Sequence, residues 1–151
     1  MSAELRFTIL GCGSSGGVPR LGGHWGLCDP DNPKNTRRRC SMLVERETPE
    51  GVTRVLIDTT PDMRAQLLDA GVGALDAVVF THSHADHTHG LDDLRQVVFN
   101  RRARLPVWAD GDTSFTGRIT ASGVANGGFV ETSGKNTLQA LGSVSTAAGT
   151  G

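Results

Sequence analysis

Three histidines and one aspartate lie within six residues that follow directly after the apolar run at residues 76–81. Alternate residues of a strand point to the same face, so a strand that continues through this point places His82 and His84 side by side. Asp86 and His87 then follow in a turn. Imidazole and carboxylate groups are typical ligands of zinc, and of manganese or iron where oxygen donors share the site. The pattern favours a metal-binding loop over a solvated histidine-rich loop.

Strand-like and helix-like segments alternate over the first two-thirds of the chain, which indicates an α/β domain. The predicted strands are residues 5–10, 41–47, 52–58, 76–81 and 105–109, with a hairpin turn at residues 48–51. A first helix is predicted to begin at Thr60-Pro61-Asp62, to present Met63, Leu67 and Ala70 on one face, and to end at Gly71. A second helix is predicted from the spacing of Leu91, Leu94, Val97 and Val98.

The composition changes after Asp110. Of the 41 residues that follow, 26 are Gly, Ser, Thr or Ala, and none is His, Cys or Pro. We therefore predict a domain at residues 1–110 and a divergent Gly/Ser/Thr-rich tail at residues 111–151. Short β rungs and a disordered tail both fit this composition.

Overall composition argues against several classes of partner. The formal net charge is −1, tyrosine is absent and aromatic residues make up 5% of the chain, so neither nucleic-acid nor membrane binding is favoured. The three cysteines are odd in number and widely spaced, which fits a reducing compartment. With no signal-peptide pattern and no apolar run long enough to span a bilayer, the expected location is the cytoplasm.

The segment Thr81-His82-Ser83-His84-Ala85-Asp86-His87 resembles the His-x-His-x-Asp-His signature of the metallo-β-lactamase superfamily. The resemblance implies two zinc ions in full-length relatives, one bound by the first two histidines and the other by the Asp-His pair. It also implies that Asp58, after the third predicted strand, orients the ligands. The implied fold for residues 1–110 is the N-terminal half of an αββα sandwich, and an unpaired half would leave a sheet surface exposed.

Residues 10–19 and 37–41 are similar to the branch of that superfamily containing the phosphoribosyl cyclic phosphodiesterases. This implies hydrolysis of a small, possibly cyclic, phosphate ester. Asp86 and His89 are then the candidate catalytic residues, with His89 either donating a proton or capping the following helix. The candidate phosphate-binding residues are Arg37, Arg38 and Arg95, although a run of charge is also typical of a solvated face.

The chain departs from the family pattern downstream. Relatives supply a further histidine to each ion and a bridging aspartate, whereas here His89 is the last histidine and Asp110 and Asp112 match no motif. Each ion would have two protein ligands from one chain, although catalytic zinc normally has three plus water. A truncated or chimeric fragment with weak metal binding and no activity is therefore the alternative. A further hypothesis is that a homo-oligomer completes the site. Another is that residues 126–134, which resemble haemagglutinin-type adhesin repeats, form part of a β-helix.

Two other patterns, a glycine-rich segment and a scattered His/Cys set, have a structural interpretation that is favoured over a binding site. Residues 11–16 match the dinucleotide pattern G-x-G-x-x-G, but Pro19 follows where a helix should open, so we predict a tight turn with backbone amides toward the metal site. An accessory zinc site at His24, Cys28 and Cys40 lacks paired thiols, and free side chains are the favoured interpretation.

Overall fold

A computed structural model describes residues 4–109 and, as backbone strands alone, residues 114–115, 119–120, 131–134, 139–140 and 144–145. The strands are β1 Glu4–Gly11, β2 Ser41–Thr48, β3 Gly51–Ile57, β4 Ala77–Val79, β5 Pro106–Ala109, β6 Ser114–Phe115, β7 Ile119–Thr120, β8 Glu131–Gly134, β9 Gln139–Ala140 and β10 Val144–Ser145. The helices are α1 Met63–Asp69, α2 Ala85–Thr88 and α3 Leu94–Arg101, with 3-10 turns at Pro33–Asn35 and Leu91–Asp93.

One mixed sheet organises the fold, in the order β1-β2-β3-β4-β5-β8. The first three strands form an antiparallel meander, and β3, β4, β5 and β8 then pair in parallel. The hairpin closes at the pair Thr48 and Gly51, as predicted. Parallel neighbours require crossovers, which α1 and the α2–α3 segment provide. The predicted α/β class is confirmed.

The five predicted strands are all present, but β4 is shorter than expected and ends at Val79. Beyond it, the Phe80 N–H still donates to the Trp108 carbonyl at 2.7 Å, whereas the Thr81 N–H donates to the side chain of Asp58 at 2.8 Å. The strand therefore ends before His82. The prediction that strand alternation aligns His82 with His84 is wrong, because both lie in the connection after the strand.

The first helix begins at Met63, two residues after Pro61, the predicted first helical position. The Thr60 hydroxyl accepts a hydrogen bond from the Asp62 N–H at 3.1 Å, and the Thr60 carbonyl accepts one from the Met63 N–H at 2.9 Å. At the other end Gly71 has φ +67°, and the N–H groups of Gly71 and Val72 bond to the carbonyls of Leu68 and Leu67. This pair of bonds is a Schellman motif, which confirms Gly71 as the C-terminal cap.

Replacing Gly71 by alanine is expected to lower the free energy of unfolding by about 1 kcal/mol, because a side chain disfavours the left-handed conformation. A Cβ there would meet no atom within 4 Å, so the cost is conformational and not steric. Chemical denaturation of Gly71→Ala and Gly71→Asn measures it. Asparagine tolerates this region, so an asparagine variant as unstable as the alanine variant would contradict the assignment.

The hydrophobic core lies between one face of the sheet and the helices. Leu43, Leu56, Val78 and Val107 are buried on that face. They cluster with four helical side chains, Met63, Leu67, Leu94 and Val97. The predicted apolar face of the second helix is thus confirmed, whereas Ala70 is exposed and does not belong to the core face of α1.

The opposite face of the sheet carries exposed apolar side chains. Phe7 and Ile9 in β1 are 61% and 71% exposed, and Trp108 in β5 is 59% exposed. This is the surface expected of one half of a sandwich. Among the described residues, no helix is both long and apolar enough to cross a membrane. Side chains beyond Ala109 lie outside the described residues, so the domain boundary near residue 111 stays a prediction, as does the nature of the tail.

Candidate metal centre

Asp58 is held in an unusual backbone conformation directly after β3. Its φ is +63°, its N–H donates to the Val79 carbonyl at 2.9 Å, and its own carbonyl accepts the Ser41 hydroxyl at 3.1 Å. Aspartate is one of the few residues other than glycine that enters the left-handed region readily. The residue is 3% exposed. Its carboxylate is therefore fixed beneath the histidine-containing connection.

The Asp58 carboxylate receives hydrogen bonds from two residues of that connection. The Thr81 N–H donates to Oδ1 at 2.8 Å and the Thr81 hydroxyl donates to Oδ2 at 2.7 Å. His87 Nδ1 lies 2.7 Å from Oδ2. Because an ionised carboxylate only accepts, we assign the ring proton of a neutral His87 to Nδ1, which leaves the Nε2 lone pair available. A carboxylate behind a histidine is the usual arrangement around a metal ligand.

Asp86 and His87 present two donor atoms close together. They lie in the single-turn helix α2, where we predicted a turn, and the His87 N–H bonds to the His84 carbonyl at 2.9 Å. The distance from His87 Nε2 to Asp86 Oδ2 is 3.4 Å. Two donors each about 2.0–2.1 Å from one tetrahedral ion lie roughly 3.3 Å apart, so this pair has the spacing of shared ligands.

His82 and His84 complete the cluster of rings. The His82 ring centroid lies 4.0 Å from that of His87 and 4.6 Å from that of His84, in an edge-to-face arrangement with the latter. His82 Nδ1 lies 2.9 Å from the Thr81 hydroxyl oxygen. All three histidines of the motif are thus neighbours, although they do not share a strand face.

The donor atoms of the motif are of the types that bind divalent transition metals, but too few of them converge on one point to hold an ion. Imidazole nitrogen and carboxylate oxygen are zinc, manganese and iron ligands. Within the part of the chain that the structure describes, however, no three His, Cys, Asp or Glu side chains converge as a metal site requires. The described residues therefore do not form a three-donor site, and the ligand roles of His82, His84, Asp86 and His87 stay predictions.

The end of the motif, at Thr88 and Gly90, is hydrogen-bonded to the segment that follows β3. The Gly90 N–H donates to the Thr59 carbonyl at 2.8 Å, and the Thr59 hydroxyl donates to the Thr88 carbonyl at 3.2 Å. A Cβ at Gly90 would lie 2.0 Å from the Thr60 carbonyl oxygen, so only glycine permits this approach. Sequence reasoning missed these contacts, and the glycine directly after the motif was the available signal.

His89 occupies the C-terminal end of α2. Its backbone N–H donates to the Ala85 carbonyl at 3.0 Å, and the residue is exposed. His89 was predicted to cap the helix that follows it, but it is the C-terminal cap of α2. The next element, the 3-10 turn Leu91–Asp93, has Gly90 at its N-terminal cap. The proton-donor role stays a prediction.

The candidate phosphate-binding arginines already have partners. Arg38 lies 2.7 Å from the Asp69 carboxylate, and Arg37 donates to the Lys34 carbonyl at 2.8 Å. Arg95 is exposed and its nearest carboxylate contact is 4.0 Å long. Arg39, which was not singled out for phosphate, binds Asp62 at 3.0 Å and also donates to the Ser15 carbonyl.

The glycine-rich segment packs against the arginine segment. The Gly13 N–H donates to the Arg38 carbonyl at 2.7 Å, and the Val18 N–H donates to the Arg37 carbonyl at 2.8 Å. These two amides therefore do not point to the metal site as predicted, because backbone bridges use them. No helix follows within the described residues 17–32, which agrees with rejecting a dinucleotide site. The three cysteines are free.

Several known proteins are similar to this chain over this region. The beta-lactamase superfamily domain matches residues 53–124. A solved diphosphatase of the PhnP family is 42% identical, with a TM-score of 0.64, over 73% of this chain and 43% of that one. Zinc-bound PqqB from Methylobacterium extorquens is 24% identical, with a TM-score of 0.49, over 76% of this chain and 36% of that one.

A curated protein named octanoyltransferase, from Porphyromonas gingivalis (strain ATCC BAA-308 / W83), is 42% identical over 106 residues. These residues are 70% of this chain and 20% of that protein. The chain thus spans less than half of the solved diphosphatase and one fifth of the curated relative. From the matched domain, the solved diphosphatase and the sheet described above, we conclude that this chain has the metallo-β-lactamase fold.

Proposed function

We propose that this chain carries the metal-binding motif of a metal-dependent hydrolase that acts on a small phosphate ester, with phosphodiesters as the favoured class. One observation carries the proposal: His87 faces Asp58 through Nδ1 at 2.7 Å while its Nε2 lies 3.4 Å from the Asp86 carboxylate. A buried carboxylate that orients a histidine beside a second donor is an arrangement suited to binding a metal.

The ligand pairs that we propose are His82 with His84, and Asp86 with His87. Bound zinc, manganese or iron would supply Lewis acidity toward a phosphoryl oxygen and activation of water at neutral pH. The chain's own residues orient the donors, with Asp58 fixing the His87 ring from behind. His89 is exposed and lies two residues after His87, and we retain it as the candidate proton donor.

The phosphate class is supported by the similarity to a diphosphatase, which extends over 73% of this chain at 42% identity. Arg95 is the best remaining candidate for binding a substrate phosphate, because its contact with Asp92 is long and both side chains are exposed. Arg38 is a poorer candidate because it pairs with Asp69. We also propose a cytoplasmic location, which the three free cysteines support.

A second candidate is a chain that binds metal weakly and turns nothing over. The observation in its favour is that no three donor side chains converge among the described residues. Two protein ligands per ion leave each ion more open than an ordinary catalytic zinc. A second copy of the chain could supply further donors in trans. The number of protein ligands per ion would then no longer favour the second candidate.

Hydrolysis of bis(4-nitrophenyl) phosphate by the full chain distinguishes them. The protein is stripped with a chelator, reloaded with Zn²⁺ or Mn²⁺ and assayed beside Asp86→Asn and, as the matched control, Asp31→Asn in an exposed loop. Hydrolysis that needs the metal, survives in the control and is lost in Asp86→Asn supports the enzyme. Metal binding without hydrolysis of this diester or of a cyclic phosphate would reject it in favour of the second candidate.

A further inference from the structure

The Thr81 hydroxyl lies between the buried carboxylate and the first histidine of the motif. Its oxygen is 2.7 Å from Asp58 Oδ2 and 2.9 Å from His82 Nδ1. The Thr81 backbone N–H also donates to Asp58 Oδ1 at 2.8 Å, so the whole residue is tied to that carboxylate. The sequence pattern alone predicts no functional role for Thr81.

A hydroxyl has one proton, and the surroundings decide where it goes. Asp58 accepts from Thr81 and His87, and an ionised carboxylate has no proton to give. If the hydroxyl proton pointed to His82 instead, the lone pairs of the hydroxyl and of the buried Asp58 carboxylate would face each other at 2.7 Å, which is unfavourable. The hydroxyl therefore donates a hydrogen bond to Asp58 and accepts one from the Nδ1–H of His82.

We propose that Thr81 is a positioning residue that holds neutral His82 as its Nδ1–H tautomer and so leaves the Nε2 lone pair available to bind a metal. Asp58 then orients His87 directly and His82 through the Thr81 hydroxyl. One buried carboxylate thereby aligns a donor in each of the two ligand pairs. The effect on metal binding rests on the proposed function, whereas the tautomer is a property of the metal-free chain.

Two substitutions separate the hydroxyl from the rest of the side chain. Thr81→Val keeps the β-branched shape and the backbone bond to Asp58 but removes the hydroxyl, and Thr81→Ser keeps the hydroxyl. Loss of an outer hydrogen-bonding partner typically costs about 10–100-fold in metal affinity. We expect a zinc affinity loss of that size in Thr81→Val and near-normal affinity in Thr81→Ser.

The test reads the tautomer first, by long-range ¹H–¹⁵N NMR of the metal-free full chain at about pH 8, where imidazole is ordinarily neutral. The expected result is a proton on Nδ1 of His82 in the wild type and in Thr81→Ser, with the Nε2–H form rising in Thr81→Val. Zinc affinity is then measured on the same samples by competition with a chromophoric chelator.

A wild-type His82 with its proton on Nε2 would overturn the proposal without any variant having to fold. A Thr81→Val protein with unchanged tautomer and unchanged affinity would also overturn it. The predicted tautomers and affinities together with an absence of phosphodiester hydrolysis would reject the proposed function and leave the role of Thr81 standing. Metal-dependent hydrolysis together with an Nε2–H tautomer of His82 would support the proposed function and reject the role of Thr81.

Discussion

Replacing Gly90 by alanine is expected to lower the free energy of unfolding by about 3 kcal/mol or more. The added Cβ would lie 2.0 Å from the Thr60 carbonyl oxygen and 3.0 Å from that of Thr59. Both contacts are with backbone, so no side-chain rotation relieves them. The Gly90 φ of −83° is ordinary, which makes the expected cost steric and not conformational. Urea denaturation followed by circular dichroism measures it.

Gly73→Ala is the matched control. Its Cβ would have one contact within 4 Å, the Asn100 side-chain amide nitrogen at 3.4 Å, which is an ordinary distance. We expect a change within about 1 kcal/mol for this variant. Equal stability of the Gly90→Ala and wild-type proteins would mean that the motif does not dock against the segment after β3 as described.

Replacing Asp58 by alanine is expected to lower the free energy of unfolding by about 3–4 kcal/mol. Three donors of part-buried hydrogen bonds lose their acceptor: the Thr81 N–H, the Thr81 hydroxyl and His87 Nδ1–H. Alanine also disfavours the φ of +63°. Asp58→Asn tolerates that φ and keeps one oxygen acceptor, so a loss of about 2 kcal/mol is expected. Both variants are measured by urea denaturation.

Zinc affinity should fall in Asp58→Asn by about 10–100-fold, because an amide NH2 replaces one of the two carboxylate oxygens. Either the Thr81 N–H at Oδ1, or the Thr81 hydroxyl and His87 Nδ1 at Oδ2, then loses its acceptor. Asp31→Asn makes the same charge change at an exposed loop position and is expected to alter neither stability nor affinity. An Asp58→Asn protein that matches this control in both respects would show that the carboxylate has no orienting role.

Local sequence signals predicted most of the fold. The hairpin follows from two apolar runs separated by Thr48-Pro49-Glu50-Gly51, and the end of α1 follows from a glycine placed where a left-handed residue is needed. Such features depend on neighbours along the chain, so residue spacing is enough to find them. The motif itself was equally local, since its histidines and aspartate lie within six residues.

The features that sequence reasoning missed depend on contacts between distant segments. Asp58 reaches Thr81 and His87 across 23 and 29 residues, and these bonds end β4 early and decide the ring orientations. The pairing of Arg38 with Asp69 likewise gives a partner to a candidate phosphate ligand, and the sequence does not show this pairing. Hydrogen-bond geometry of this kind depends on the folded arrangement of the sheet, which residue spacing does not encode.

Zinc binding by the full chain and by its His82→Ala/Asp86→Ala variant tests the central claim most directly. The control is Asp29→Ala/Asp31→Ala, which removes two ionisable side chains from an exposed loop. Because each proposed ion loses one of its two protein ligands, affinity should fall by at least about tenfold in the first variant and stay unchanged in the control. Equal zinc affinity in all three proteins would contradict a metal site built from this motif.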